Sequence, residues 1–238
     1  MAGGRGPAAD WGGRGRGDGV SSGPVRVVIA DDHAAIRAGL RLVLDAADDI
    51  EVVGEAADGA VAIRQAGALR PDVVLMDVRM PGTDGIEATR AITAAGLADV
   101  LVLTTFDIDD YLFGALRAGA SGFLLKTVEP QALIEAVRRV AAGDGVLAPE
   151  VTRRLLDAFV AASPAVEAGP ARPDVDQLTA RERDVLAALG RGLSNVDLAA
   201  TLGISEATAK THVSRVLAKL GCTSRVQAAI IAKEAGLA

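Results

Sequence analysis

The chain has 238 residues, half of them apolar, and a formal net charge of -6. That length accommodates two modest domains, the single cysteine, Cys222, excludes an internal disulfide, and the acidic balance argues against indiscriminate nucleic-acid binding. Charged residues interrupt every apolar run well short of the ~18 needed to cross a bilayer, so no transmembrane helix is expected and the composition fits a cytoplasmic protein.

Residues 1–24 are Gly-rich, carry Arg5, Arg14 and Arg16, and have no apolar signal-peptide core. They read as a disordered tail. From Val25 the chain alternates strand and helix signals. Apolar runs occur at 25–30, 50–53, 73–76, 100–103 and 122–125, and segments with helical spacing at 33–46, 58–69, 84–95, 109–118 and 129–142. Five such units predict a doubly wound, five-stranded parallel sheet with helices on both faces. No GxGxxG or GxxxxGK[ST] opens a helix here, so a dinucleotide or P-loop site lacks its fingerprint.

The polar residues at the strand ends carry the chemistry. Asp31 and Asp32 follow the first run, Asp77 the third, Thr104 the fourth and Lys126 the fifth. An open parallel sheet binds ligands outside the carboxyl ends of its strands. Each residue alone is an ordinary turn or strand-end residue; three carboxylates, a hydroxyl and an ammonium at one edge make a site.

Residues 143–177 change character. Gly143-Asp144-Gly145 ends the last helix of the sheet unit, Val151 to Ala162 has helical spacing, and Ser163 to Pro173 is rich in Ala, Pro and Gly. This reads as a linker with a short helix. From residue 178 the period is helical throughout. Thr179 with Glu182 forms a capping-box signature, Ser194 caps a second helix over Asn195 to Leu202, Ser205 a third over Glu206 to Leu220, and a fourth runs from about Ser224 to Ala235. The tight Leu202-Gly203-Ile204-Ser205 turn makes a helix-turn-helix. Residues 25–142 carry a net charge of -7 and residues 174–238 one of +1, with Lys210, Arg215, Lys219 and Arg225 on the C-terminal part.

Asp31-Asp32, Asp77, Met80-Pro81-Gly82, Thr104 and Ala118 to Lys126 together resemble the receiver domain of bacterial two-component response regulators. The resemblance implies that Asp77 accepts a phosphoryl group from a sensor histidine kinase. It also implies a Mg²⁺ ion on Asp31, Asp32, Asp77 and the backbone carbonyl of Arg79, with oxygen donors suited to that ion. Lys126 and the Thr104 hydroxyl would meet phosphoryl oxygens, and Phe123 would be the aromatic that moves with the switch. Thr105 is the neighbouring hydroxyl; strand alternation puts it on the other face. Thr127 stands where many receivers have proline.

Leu178 to Arg183, Gly192-Leu193-Ser194-Asn195 and Thr208 to Val213 resemble the LuxR-type helix-turn-helix that closes NarL/FixJ-type regulators. The third helix is then the recognition helix in the major groove, with Lys210, Thr211 and Ser214 facing bases. Ser194, Asn195, Ser205, Thr208, His212, Arg215 and Lys219 become candidate phosphate contacts. Ala209 replaces the family's usual valine, and Val196-Asp197 a more basic pair. The expectation is a phosphorylation-switched transcription regulator on double-stranded promoter DNA, a homodimer when phosphorylated, and not an enzyme. Aspartate-nucleophile phosphatases need a second Asp two residues after the first, where this chain has Arg79. The other rival is a receiver whose helical unit is only a protein-docking module. The expected division is a tail at 1–24, a receiver at 25–142, a linker at 143–177 and a DNA-binding domain at 178–238.

Overall fold

The computed structural model describes residues 23–104, 109–147 and 175–238. The short helix expected over Val151 to Ala162, nearly all of the N-terminal tail and Thr105 lie outside these residues.

Five runs of apolar residues become the strands β1 (Val25–Ala30), β2 (Ile50–Ala56), β3 (Val73–Asp77), β4 (Asp99–Thr104) and β5 (Gly122–Leu125). Every residue of β3 and β5 is buried, as a sheet covered on both faces requires. A two-residue sixth strand, β6 (Val146–Leu147), follows the last helix of the sheet unit and pairs with β5. All pairings are parallel, in the order β2-β1-β3-β4-β5-β6.

Between the strands lie α1 (Ala34–Leu44), α2 (Gly59–Leu69), α3 (Gly85–Ala94), α4 (Asp109–Arg117) and α5 (Pro130–Ala141). Their starts follow local chemistry. Asp58 accepts from the Val61 N–H and Asp84 from the Glu87 N–H, both at 2.8 Å, and Pro130 takes the first turn of α5, where its missing N–H is no loss.

The helical unit contains α6 (Ala180–Gly190), α7 (Asn195–Leu202), α8 (Glu206–Leu220) and α9 (Arg225–Glu234). Thr179 with Glu182 and Ser194 with Asp197 form capping boxes, while Ser205 and Ser224 cap α8 and α9. Gly203 and Gly221 end α7 and α8 in the left-handed conformation that glycine adopts at little cost. Leu186, Leu189, Leu198, Ala209, Val213, Val216, Ala228 and Ala232 form this unit's core. Ala209 is fully buried there.

The two units share a face. Val226 and Ile230 of α9 pack against the apolar core of the sheet unit. Gln227 Nε2 donates to the main-chain carbonyls of Leu116 and Arg117 at 3.0 and 3.2 Å. Arg225 Nη1 reaches Asp144 and the Gly143 carbonyl. Thr223 lies against Gly119, where an added Cβ would fall 2.0 Å from its hydroxyl oxygen.

Candidate functional site

Strand order creates the site. The chain leaves β1 toward β2 on one side and returns to β3 on the other, so a crevice opens where the order reverses. Asp31 follows β1 and Asp77 ends β3 at this point, while Thr104 ends β4 and Lys126 follows β5. Four of the expected residues therefore meet at one sheet edge.

Lys126 ties the acids together. Its Nζ lies 2.6 Å from Asp31 Oδ2 and 2.8 Å from Asp77 Oδ2. Asp31 is 1% exposed and Asp77 7%. Burial pushes the Asp77 carboxyl above the usual carboxylate range, with the bond to Lys126 pulling the other way. Burial also opposes the charge on Lys126, yet its bonds to Asp31 and Asp77 outweigh that and raise its pKa. The ammonium is thus held charged between the two acids, and burial makes the charge on Asp77 costly.

Asp32 sits beside them at the surface. Its Oδ1 is 2.6 Å from His33 Nδ1, and the His33 main-chain N–H donates to Asp31 Oδ1 at 2.8 Å. Ligand atoms of Asp31, Asp32 and His33 lie within 4.8 Å of one another. A buried and a half-buried carboxylate side by side fit a hard divalent cation. His33 was not among the expected site residues; its adjacency to the Asp pair was the available signal. Arg37 also belongs to the surroundings, donating to the Asp31 main-chain carbonyl at 2.7 Å.

Thr104 is 3% exposed, and its main-chain carbonyl accepts from the Lys126 N–H at 2.7 Å. Phe123 is fully buried and pairs in register with Val102. Arg79 is exposed in the loop after β3. Among the described residues there is no cis peptide bond.

On α8, Thr208, Ser214 and Arg215 are exposed and Lys210, Thr211 and His212 half-buried. Lys210 Nζ makes a 3.1 Å pair with Glu206 one turn earlier. The other candidates have partners within the chain. Ser194 and Ser205 hold their capping bonds. Lys219 Nζ bonds Glu182 Oε2 at 2.7 Å, and with the Thr179 cap this holds the Glu182 carboxyl down at about 2. Asn195 is 3% exposed and bonded to the sheet unit through Asp144 and the Ala142 carbonyl.

Comparisons with known proteins agree with this architecture. Residues 27–138 match the response regulator receiver domain, and residues 176–232 match the bacterial regulatory proteins of the luxR family. The chain is 38% identical over 208 residues to the nitrate/nitrite response regulator protein NarL of Escherichia coli (strain K12), covering 87% of this chain and 94% of that one. It is 39% identical over 210 residues to the transcriptional regulatory protein LiaR of Bacillus subtilis (strain 168), covering 87% and 96%. The crystal structure of ChrA, the response regulator of a heme-sensing two-component system, covers 91% of this chain and 100% of its own at 44% identity and a TM-score of 0.51. The chain belongs to the NarL/FixJ-type response regulators, transcription regulators of two-component systems that join a receiver domain to a LuxR-type DNA-binding domain and are not enzymes.

Proposed function

We propose that Asp77 is the phosphoacceptor and that its phosphorylation by a sensor histidine kinase controls how the helical domain engages double-stranded promoter DNA. The observation that carries this reading is the Lys126 ammonium within 2.8 Å of Asp77 and 2.6 Å of Asp31 at the sheet edge. An Asp77 oxygen attacks the phosphorus of the kinase phosphohistidine. The new P–O bond forms as the P–N bond breaks, and the imidazole leaves with the bonding pair. Negative charge on the transferring oxygens is the main obstacle, so positioning and neutralisation dominate. Lys126 supplies a fixed positive charge and Thr104 a hydroxyl at the neighbouring strand end. Asp31, Asp32, Asp77 and the Arg79 carbonyl would hold Mg²⁺, which supplies further neutralisation when bound.

Thr104 and Phe123 would pass the change to α4, whose C-terminal end meets Gln227. Phosphate shifts the balance only by favouring one arrangement over the other. In the DNA-bound state Lys210, Thr211 and Ser214 read base edges, and Thr208, His212 and Arg215 join the capping serines at the backbone. A homodimer paired through α9 reads two half-sites. The proposed setting is the cytoplasm, where the kinase and the promoter meet the regulator. In this reading the receiver runs from Val25 and the DNA-binding domain from residue 178.

The test is capture of genomic fragments by the full chain in Mg²⁺, with and without beryllofluoride as the phosphoryl mimic. A discrete fragment set enriched with the mimic and lost in Asp77→Ala supports the reading. The same set in both conditions would remove the receiver as gate, and no enrichment in either would favour the docking module.

A further inference from the structure

The face between the domains places an acid at the entry of the helix-turn-helix. Asp144 lies in the turn between α5 and β6, and its Oδ1 accepts from the main-chain N–H of Asn195 at 3.0 Å. Asn195 is the first residue of α7. The opening turn of a helix presents unpaired N–H groups and the positive end of its dipole, the combination that holds phosphate oxygens. The same Oδ1 lies 2.6 Å from Arg225 Nη1.

The corner is polar and sealed. Arg225 is 9% exposed, and its other nitrogen bonds the Leu193 carbonyl, which fixes the guanidinium beside the α7 entry within the DNA-binding domain. Asn195 Nδ2 donates to the Ala142 carbonyl at 3.2 Å, and Arg225 Nη1 also donates to the Gly143 carbonyl at 2.9 Å. The DNA-binding domain thus offers a row of donors, and the receiver fills it with one carboxylate and two carbonyl oxygens. That is the acceptor chemistry of a DNA backbone. The recognition helix itself is left with Thr208, Ser214 and Arg215 exposed.

We propose that Asp144 is an intramolecular stand-in for a DNA phosphate at the N-terminus of α7. Asp144 and the DNA strand exclude one another there, so the closed arrangement weakens DNA binding by competing for a backbone contact rather than by covering the base-reading surface. This rests on the DNA-binding reading above. Coupling is reciprocal: whatever draws Asp144 away favours DNA, and DNA favours the separated arrangement by the same factor.

The experiment uses the full chain and a fluorescent random-sequence duplex, titrated over a salt series with and without beryllofluoride. Without the mimic, Asp144→Ala is expected to bind about tenfold tighter than wild type, the scale of one charge-assisted hydrogen bond. Its slope of log affinity against log salt should be steeper by about one, for one regained phosphate contact. Asp144→Asn keeps the size of the side chain should alanine disturb the turn, and is expected to move affinity in the same direction. With the mimic, variants and wild type should bind alike. If wild type tightens with the mimic while both variants bind as weakly as untreated wild type, the Asp144 inference is overturned and the DNA-binding reading stands. If no protein binds under either condition, the DNA-binding reading falls and takes the inference with it.

Discussion

Gln227 closes the end of α4: its Nε2 donates to the main-chain carbonyl of Leu116 at 3.0 Å. The last carbonyls of a helix have no partner within it, so a side chain of one domain completes a helix of the other. Asp144 does the converse at the start of α7. Each domain thereby satisfies a helix terminus of its neighbour.

Gln227→Ala should loosen this face while leaving both folds intact. Two neutral hydrogen bonds across the face are lost, each worth about 1 kcal/mol net, together with the two that Gln227 Oε1 accepts from Thr223, and the Leu116 and Arg117 carbonyls can turn to water. The expected outcome is faster amide hydrogen exchange at α4 and the first turn of α9, with the core of α8 unchanged. Unchanged exchange at α4 would mean that the apolar contacts of Val226 and Ile230 and the polar corner at Asp144 hold the domains together without Gln227.

Gly85→Ala should damage the phosphoacceptor strand. An added Cβ at Gly85 would lie 1.9 Å from the Asp77 carbonyl oxygen and 2.9 Å from Val78 Cα, both backbone atoms that cannot swing aside. Overpacking of this kind costs about 1–3 kcal/mol. The variant should unfold at lower urea concentration and take up phosphate from a small-molecule donor more slowly, because the end of β3 must shift. Wild-type uptake in a destabilised variant would separate the packing from the chemistry.

Glu182 ties acid stability to the DNA-binding domain. Lys219 first, and then the Thr179 main-chain N–H, depress its pKa from 4.5 to about 2. A carboxyl depressed on folding contributes stability above its unfolded pKa and loses it as pH falls through the folded value. Protection of α6 and α8 amides should therefore weaken between about pH 4.5 and pH 2 in wild type, and the change should be smaller in Glu182→Gln. Equal pH dependence in both proteins would assign the acid transition to other groups.

Much of this arrangement was legible in the residue order. Apolar runs and the 3.6-residue period placed β1 to β5 and α1 to α9, because each reflects local packing. The Asp31, Asp77, Thr104 and Lys126 cluster followed from strand ends meeting at one edge. The partners that cross the domain face were not legible. Asp144 read as part of a Gly-flanked helix stop, yet its partner Arg225 is 81 residues away. Lys219 reads as a candidate phosphate contact, yet Glu182, 37 residues distant, holds it. No local period encodes such pairings. The close approach of α3 to the Asp77 carbonyl at Gly85 is likewise a matter of tertiary packing.

Lys126→Ala gives a test of the site that is independent of any kinase. Removing the ammonium leaves Asp31 and Asp77 buried without the cation that both touch, and breaking a buried pair in this way costs about 3–5 kcal/mol. Asp77 already has a raised pKa, and losing Lys126 removes an influence that lowers it. A carboxyl raised on folding favours the native state below its unfolded pKa, and that benefit is lost as pH rises through the folded value. The variant should accordingly be most destabilised near neutral pH and recover toward wild type as the pH falls through the carboxylate range. Mg²⁺ should stabilise the variant more than wild type, since the ion would replace a missing positive charge, and chelation should abolish the difference. Urea denaturation of both proteins at neutral and acidic pH, with Mg²⁺ or with chelator, measures all three effects. A variant as stable as wild type in chelator at neutral pH would mean that the two acids do not depend on Lys126, and the charge-neutralising role proposed for it would fall.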